Sequence, residues 1–154
     1  MSDDITFAFL TVPKVEFGRG KIKIVGESAA RFGKRPLLVC GRKWLRESEY
    51  LGTIRESMAK HGLELSITER IPPEPSLDDV RRAIEAARSH RADVIIGIGG
   101  GSVIDVAKAA AALLEEVESL GDYFLGRVVE KSSIPFIAIP TTAGSGRKLR
   151  STRF

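Results

Sequence analysis

Cysteine is nearly absent from this 154-residue chain: Cys40 is the only one, so no internal disulfide is possible and zinc-finger spacing is missing. Histidine is equally scarce, and His61 and His90 alone cannot build a catalytic metal centre of the usual three-ligand kind. No apolar run approaches the ~18 residues that a membrane span needs. The opening Met1-Ser2-Asp3-Asp4 is too acidic for a secretory leader. A reducing cytoplasm is the compartment these absences imply. Acid is missing from the last eight residues, 147–154, which carry Arg147, Lys148, Arg150 and Arg153. The whole chain holds 24 Lys and Arg against 20 Asp and Glu, so the tail accounts for the entire net charge of +4. The body is neutral, and the basic balance supplies no footprint for nucleic acid.

What is present is an ordinary globular composition, 43% apolar and 29% charged, enough for one α/β domain. Apolar β-rich runs alternate with helical patterns, which predicts a mainly parallel sheet flanked by helices. Strands are expected at 15–17, 37–40, 63–68, 94–98 and 134–139, the last of them buried. Helices are expected at 21–32, 48–61, 76–89 and 102–114, the last almost wholly apolar. Ser76 with Asp79 three residues on reads as a helix start, and Pro72-Pro73-Glu74-Pro75 before it as a stiff connection.

Three stretches carry the chemistry, each at the end of an expected strand. Gly97-Ile98-Gly99-Gly100-Gly101-Ser102 runs from a strand straight into a helix. Glycines without Cβ let main-chain amides approach an anion, and the first helical N–H groups are unpaired, so phosphate is the natural ligand. Ser102 is expected to cap the helix and Asp105 to occupy its N3 position. A tight turn without a ligand is the competing reading of the loop. Counted as G-x-G-x-x-G from Gly97, the third glycine is replaced by Ser102, so the usual dinucleotide fingerprint is not met. Pro140-Thr141-Thr142-Ala143-Gly144-Ser145-Gly146 offers hydroxyls and amides after the last strand, or a plain surface turn. Gly41-Arg42-Lys43 sets two cations after the 37–40 strand, or a solvated basic loop.

Together these motifs resemble the iron-containing (group III) alcohol dehydrogenases. The resemblance runs from about Pro13 to Gly146 and includes Phe17-Gly18-Arg19-Gly20, Gly99-Gly100-Gly101-Ser102 with Asp105, Ala107 and Lys108, and Pro140-Thr141-Thr142. It implies a Rossmann-like NAD(P)-binding unit over residues 1–146, of the kind shared with dehydroquinate synthase. In such a unit Gly99, Gly100, Gly101, Ser102 and Asp105 lie at the pyrophosphate, and Thr141 and Thr142 along the adenosine side. The residue at Gly41 would help choose the cofactor: an Asp there suits NAD(H), whereas Gly41 with Arg42 and Lys43 favours NADP(H). The family's Fe²⁺ or Zn²⁺ and its alcohol or aldehyde belong to a second, helical domain, for which this sequence offers no matching ligands. No residue is therefore assigned to metal or to catalysis.

Two further expectations attach to the resemblance. The family continues past Gly-Ser-Gly with Ser-Glu-Val-Thr or similar, and the tail 147–154 departs from that. Arg147 to Phe154 can be encoded so that a shifted frame reads Glu-Val-Thr-Lys-Tyr-Ala-Val, which points to a frameshift that the coding DNA can decide. A unit without its second domain should expose apolar surface, including parts of 102–114, and form homo-oligomers. A stand-alone nucleotide-binding or regulatory module is the main alternative. A flavodoxin-like or sugar-phosphate-binding domain, or a product that binds nothing, also fits the strand–helix alternation.

Overall fold

The computed structural model describes residues 14–41, 49–129 and 132–141. Four parallel strands form one sheet: β1 (Pro36–Gly41), β2 (Ser66–Ile71), β3 (Val94–Gly99) and β4 (Phe136–Pro140), in the order β2-β1-β3-β4. The helices are α1 (Val25–Ala30), α2 (Tyr50–Lys60), α3 (Leu77–His90), α4 (Gly101–Ala112) and the short α5 (Leu120–Phe124). This is the parallel α/β architecture expected from the alternation of patterns.

Both faces of the sheet are covered, which is why β1 and β3 read as unbroken apolar runs. Leu37, Val39 and Ile95 point to one face, where they pack with Ile84 and Ala87 of α3 and with Val103, Val106 and Ala110 of α4. Leu38, Cys40, Ile96 and Ile98 point to the other, against Val25 and Ala29 of α1 and Ile54 and Met58 of α2. Gly26 lets α1 and α2 touch: its N–H donates to Ser57 Oγ at 2.9 Å, and Ser57 Oγ donates to Lys23 O at 2.7 Å. A Cβ at 26 would stand 2.1 Å from Ser57 O. Asp93 fixes the start of β3 beside β1 by accepting the N–H groups of Lys34 at 2.6 Å and Arg35 at 3.0 Å.

Several elements differ from the sequence expectation. Residues 15–17 form no strand; Val15 and Phe17 are 71% and 95% exposed, and no strand among the described residues pairs with them. The expected helix at 21–32 opens as a 3₁₀ turn (Lys21–Ile24) after Gly20, whose φ is 74°. The strand expected at 63–68 lies at Ser66–Ile71 instead, because Leu63 belongs to the end of α2. There Leu63 N donates to Met58 O and Gly62 N to Ala59 O, a Schellman closure with Gly62 at φ 63°. The last strand is not buried: among the described residues β4 is an edge strand, with Ala138 and Pro140 exposed and its other residues half-buried. In α4, Val103, Val106, Ala107, Ala110 and Ala111 are buried, so the most exposed large apolar side chains among the described residues lie elsewhere, at Val15, Phe17, Leu125 and Val128. No helix among the described residues is long and apolar enough to cross a membrane.

Candidate nucleotide site

The strand order contains one reversal. The chain leaves β1 for β2 on one side, then crosses back to β3 on the other, so β1 and β3 are neighbours whose connections diverge. Ligands in open parallel sheets bind outside the carboxyl ends of the strands at such a point. Gly41 closes β1 there and Gly99 closes β3, with Cys40 opposite Ile98 in register.

The glycines near this edge answer to different constraints. A Cβ on Gly97 would lie 2.8 Å from Ala107 Cβ and 3.2 Å from Phe136 Cε2, so its bareness lets α4 lie on β3. Gly99 has φ 153°, and a Cβ there would meet Val103 Cβ at 3.0 Å. Gly101 is unlike both. Among the described residues a Cβ built on it would meet nothing within 4 Å, so no contact among them explains its bareness. It opens α4 at an end that no side chain caps, with Gly100 as the N-cap residue at φ −77° and ψ −176°. The first N–H groups of a helix have no intrahelical acceptor, and they carry the positive end of its dipole. An exposed, unobstructed glycine at that end suits an anion held on main-chain amides.

Ser102 does not cap the helix. Gly100 holds that place, and the Ser102 hydroxyl donates instead to Pro73 O at 2.5 Å. Asp105 is correspondingly beyond the N3 position and is exposed. Thr141 joins the glycine loop through its own N–H, which donates to Gly99 O at 3.0 Å. Gly41, Gly99, Gly100, Gly101, Ser102 and Thr141 thus share one sheet edge. Arg42, Lys43 and Thr142 lie outside the described residues. At Gly41 a Cβ would make only ordinary contacts, 3.6 Å to Val103 Cγ2 and 3.8 Å to Ile71 O, so packing does not demand glycine there.

Two features of this edge escape sequence reading. Val103 walls it, standing near the Cβ positions of both Gly41 and Gly99. The Pro73 carbonyl reaches α4 from the end of β2, a contact that no local pattern announces. The start of α3, by contrast, falls at Ser76 as expected, and a capping box completes it: Ser76 N and Ser76 Oγ donate to Asp79 Oδ2 at 2.7 and 2.8 Å, with Arg82 beside the other oxygen. These contacts, the Ser76 main-chain bond foremost, hold the Asp79 carboxyl below its ordinary pKa despite burial.

A family model described as iron-containing alcohol dehydrogenase matches residues 13–152, nearly the whole chain. The chain belongs to the iron-containing alcohol dehydrogenases. Among curated relatives, it is 31% identical to a sulfoacetaldehyde reductase of Bilophila wadsworthia over 94% of its length, and 29% identical to an NAD-dependent methanol dehydrogenase of Bacillus methanolicus over 93%. It covers 38% of each of those two proteins. Among solved structures it superposes on NADH-dependent butanol dehydrogenase A of Thermotoga maritima with a TM-score of 0.81 at 32% identity, over 88% of this chain and 34% of that one. Sulfoacetaldehyde reductase of Bifidobacterium kashiwanohense in complex with NAD⁺ gives 0.80 at 25% identity, over 91% and 37%. This iron-containing alcohol dehydrogenase chain matches the N-terminal part of such proteins. The iron in the family name finds no donor set among the described residues, where no three His, Cys, Asp or Glu gather. His61 Nδ1 lies 2.9 Å from Ser57 O and His90 Nε2 lies 2.8 Å from Glu64 O, both engaged with main chain far from the glycine loop.

Proposed function

We propose that residues 1–146 form a dinucleotide-binding unit, with the diphosphate on the amides of 99–102 at the β1/β3 crevice. The observation that carries this reading is the open space at Gly101, on an uncapped helix end beside a topological reversal. The NAD⁺ complex of the Bifidobacterium relative supports the ligand class. Bound there, a nicotinamide dinucleotide would supply a hydride carrier. The chain's own residues position it: main-chain amides hold the phosphates, Thr141 and Thr142 flank the adenosine side, and Gly41 leaves room for the ribose. Oxidation of an alcohol or reduction of an aldehyde is proposed for the whole family protein, which needs a metal-holding part; this span alone binds without turnover.

NADP(H) is the proposed preference. Gly41 places no carboxylate against a 2′-phosphate, and Arg42 and Lys43 follow it in the sequence. Relatives named for NAD or NADH define the opposing outcome. Fluorescence titration with NADPH and NADH is expected to show tighter NADPH binding, reversed by Gly41→Asp and lost in Gly100→Asp. FMN should not bind, and added Fe²⁺ should yield no alcohol oxidation. Equal binding by wild type and Gly100→Asp would remove the phosphate loop.

Self-association belongs to the same proposal, supported by the 95% exposed Phe17 and the half-buried edge strand β4. Sedimentation velocity across a concentration series should show a rising mass; a constant monomer mass contradicts it.

A further inference from the structure

We propose that Ser102 is a positioning residue: its hydroxyl straps the proline segment to the glycine loop and does not serve as a phosphate ligand. The proposal sharpens the dinucleotide reading above and rests on it for its ligand-bound arm only. Segment 72–76 links β2 to α3, and three of its five residues are proline. β2 and β3 are separated by β1, so their carboxyl ends stand two strand spacings apart, roughly 9–10 Å. The segment nevertheless reaches the first turn of α4, where Pro73 O accepts the Ser102 hydroxyl at 2.5 Å. The span 72–73 therefore bridges toward the β3 end, and this hydrogen bond ties it there.

A serine hydroxyl has a single proton to donate. Diphosphate oxygens at neutral pH are acceptors, so they too require a donor. The Ser102 proton cannot serve Pro73 O and a phosphate oxygen together. The carbonyl, 29 residues away in sequence, already accepts it, whereas the uncapped amides of α4 supply donors that need no rearrangement. The division of labour follows: amides hold the anion, and the hydroxyl holds the segment beside it. Ser76, directly after Pro75, opens α3 through its own bonds to Asp79, so loss of the strap is transmitted to the first turn of α3.

Amide hydrogen exchange of the full chain, resolved over residues 74–79, tests this. Without ligand, Ser102→Ala should exchange about two- to tenfold faster than wild type in this stretch, matching loss of one net hydrogen bond. Ser102→Thr, which keeps the donor, should restore the wild-type rate. Saturating NADPH should leave wild-type exchange at 74–79 unchanged or slower, and inorganic pyrophosphate should bind Ser102→Ala as it binds wild type. Unchanged exchange in Ser102→Ala, or faster exchange in wild type on adding NADPH, overturns the strap. Pyrophosphate affinity lost in Ser102→Ala and kept in Ser102→Thr makes the hydroxyl a ligand and also overturns it. If wild type binds no dinucleotide, the functional reading fails while the ligand-free comparison still decides the strap.

Discussion

At the level of single residues, Gly101 separates a cradle from a mere turn. A glycine retained for packing or for a left-handed φ is damaged by any larger side chain, as Gly26 would be beside Ser57 O. Gly101 faces neither constraint, and it sits in the first turn of a helix, where alanine loses less backbone entropy than glycine. Gly101→Ala should therefore raise stability, by about 0.5–1 kcal/mol in a urea melt, while weakening NADPH binding because the new methyl would stand where the proposed diphosphate approaches. Opposite signs in the two measurements from one methyl group are the expected result. Unaltered affinity with raised stability would leave the loop a turn and nothing more.

Elements differ in how far local sequence determines them, and α3 is the clearest case. Its start is legible because the Ser76–Asp79 pair completes itself within one turn, independent of the rest of the fold. The Asp79 carboxyl has a lowered pKa in the folded chain, chiefly through the Ser76 N–H. The unfolded chain therefore binds more protons between the two values, and stability falls as pH drops. The contribution is complete above the ordinary Asp value near 3.9 and disappears as pH falls through the lower folded one. Asp79→Asn should flatten the stability–pH curve over that acid window, read by urea midpoints at successive pH values. The same midpoints near neutrality should be lower than wild type by about 1 kcal/mol, the typical cost of a lost cap interaction.

Strands are less self-contained, and the misread ones show why. Residues 63–68 alternate as a strand should, yet Leu63 is drawn into the Schellman closure of α2, and pairing with β1 begins only at Ser66. Residues 15–17 have β-propensity but pair with no strand among the described residues, and propensity alone does not hold a strand. The strand-to-helix turn at 99–101 was legible because a buried apolar run passes through glycines straight into an apolar helix. The Ser102–Pro73 bond was not, because a carbonyl 29 residues away becomes its partner only after β1 has been laid between β2 and β3.

Over the whole molecule, the proposed ligand touches the ends of β1, β3 and β4 together, so its binding energy must appear as global stability. A ligand at a hundred times its dissociation constant, binding only the folded chain, adds about 2.7 kcal/mol. For a domain of this size each kcal/mol moves the melting midpoint by roughly 2–4 °C, so saturating NADPH should raise Tm by about 5–10 °C. Gly100→Asp supplies the control that isolates the ligand. Gly100 is the N-cap of α4 with φ −77°, a conformation that aspartate adopts readily and at which it is among the best caps. The variant should melt at or above the wild-type temperature without cofactor, yet show no rise with NADPH, because its carboxylate stands at the anion's place. Calorimetry with and without NADPH reads both numbers at once. A matching NADPH-induced rise in variant and wild type would mean that the dinucleotide stabilises the chain from somewhere other than the amino end of α4.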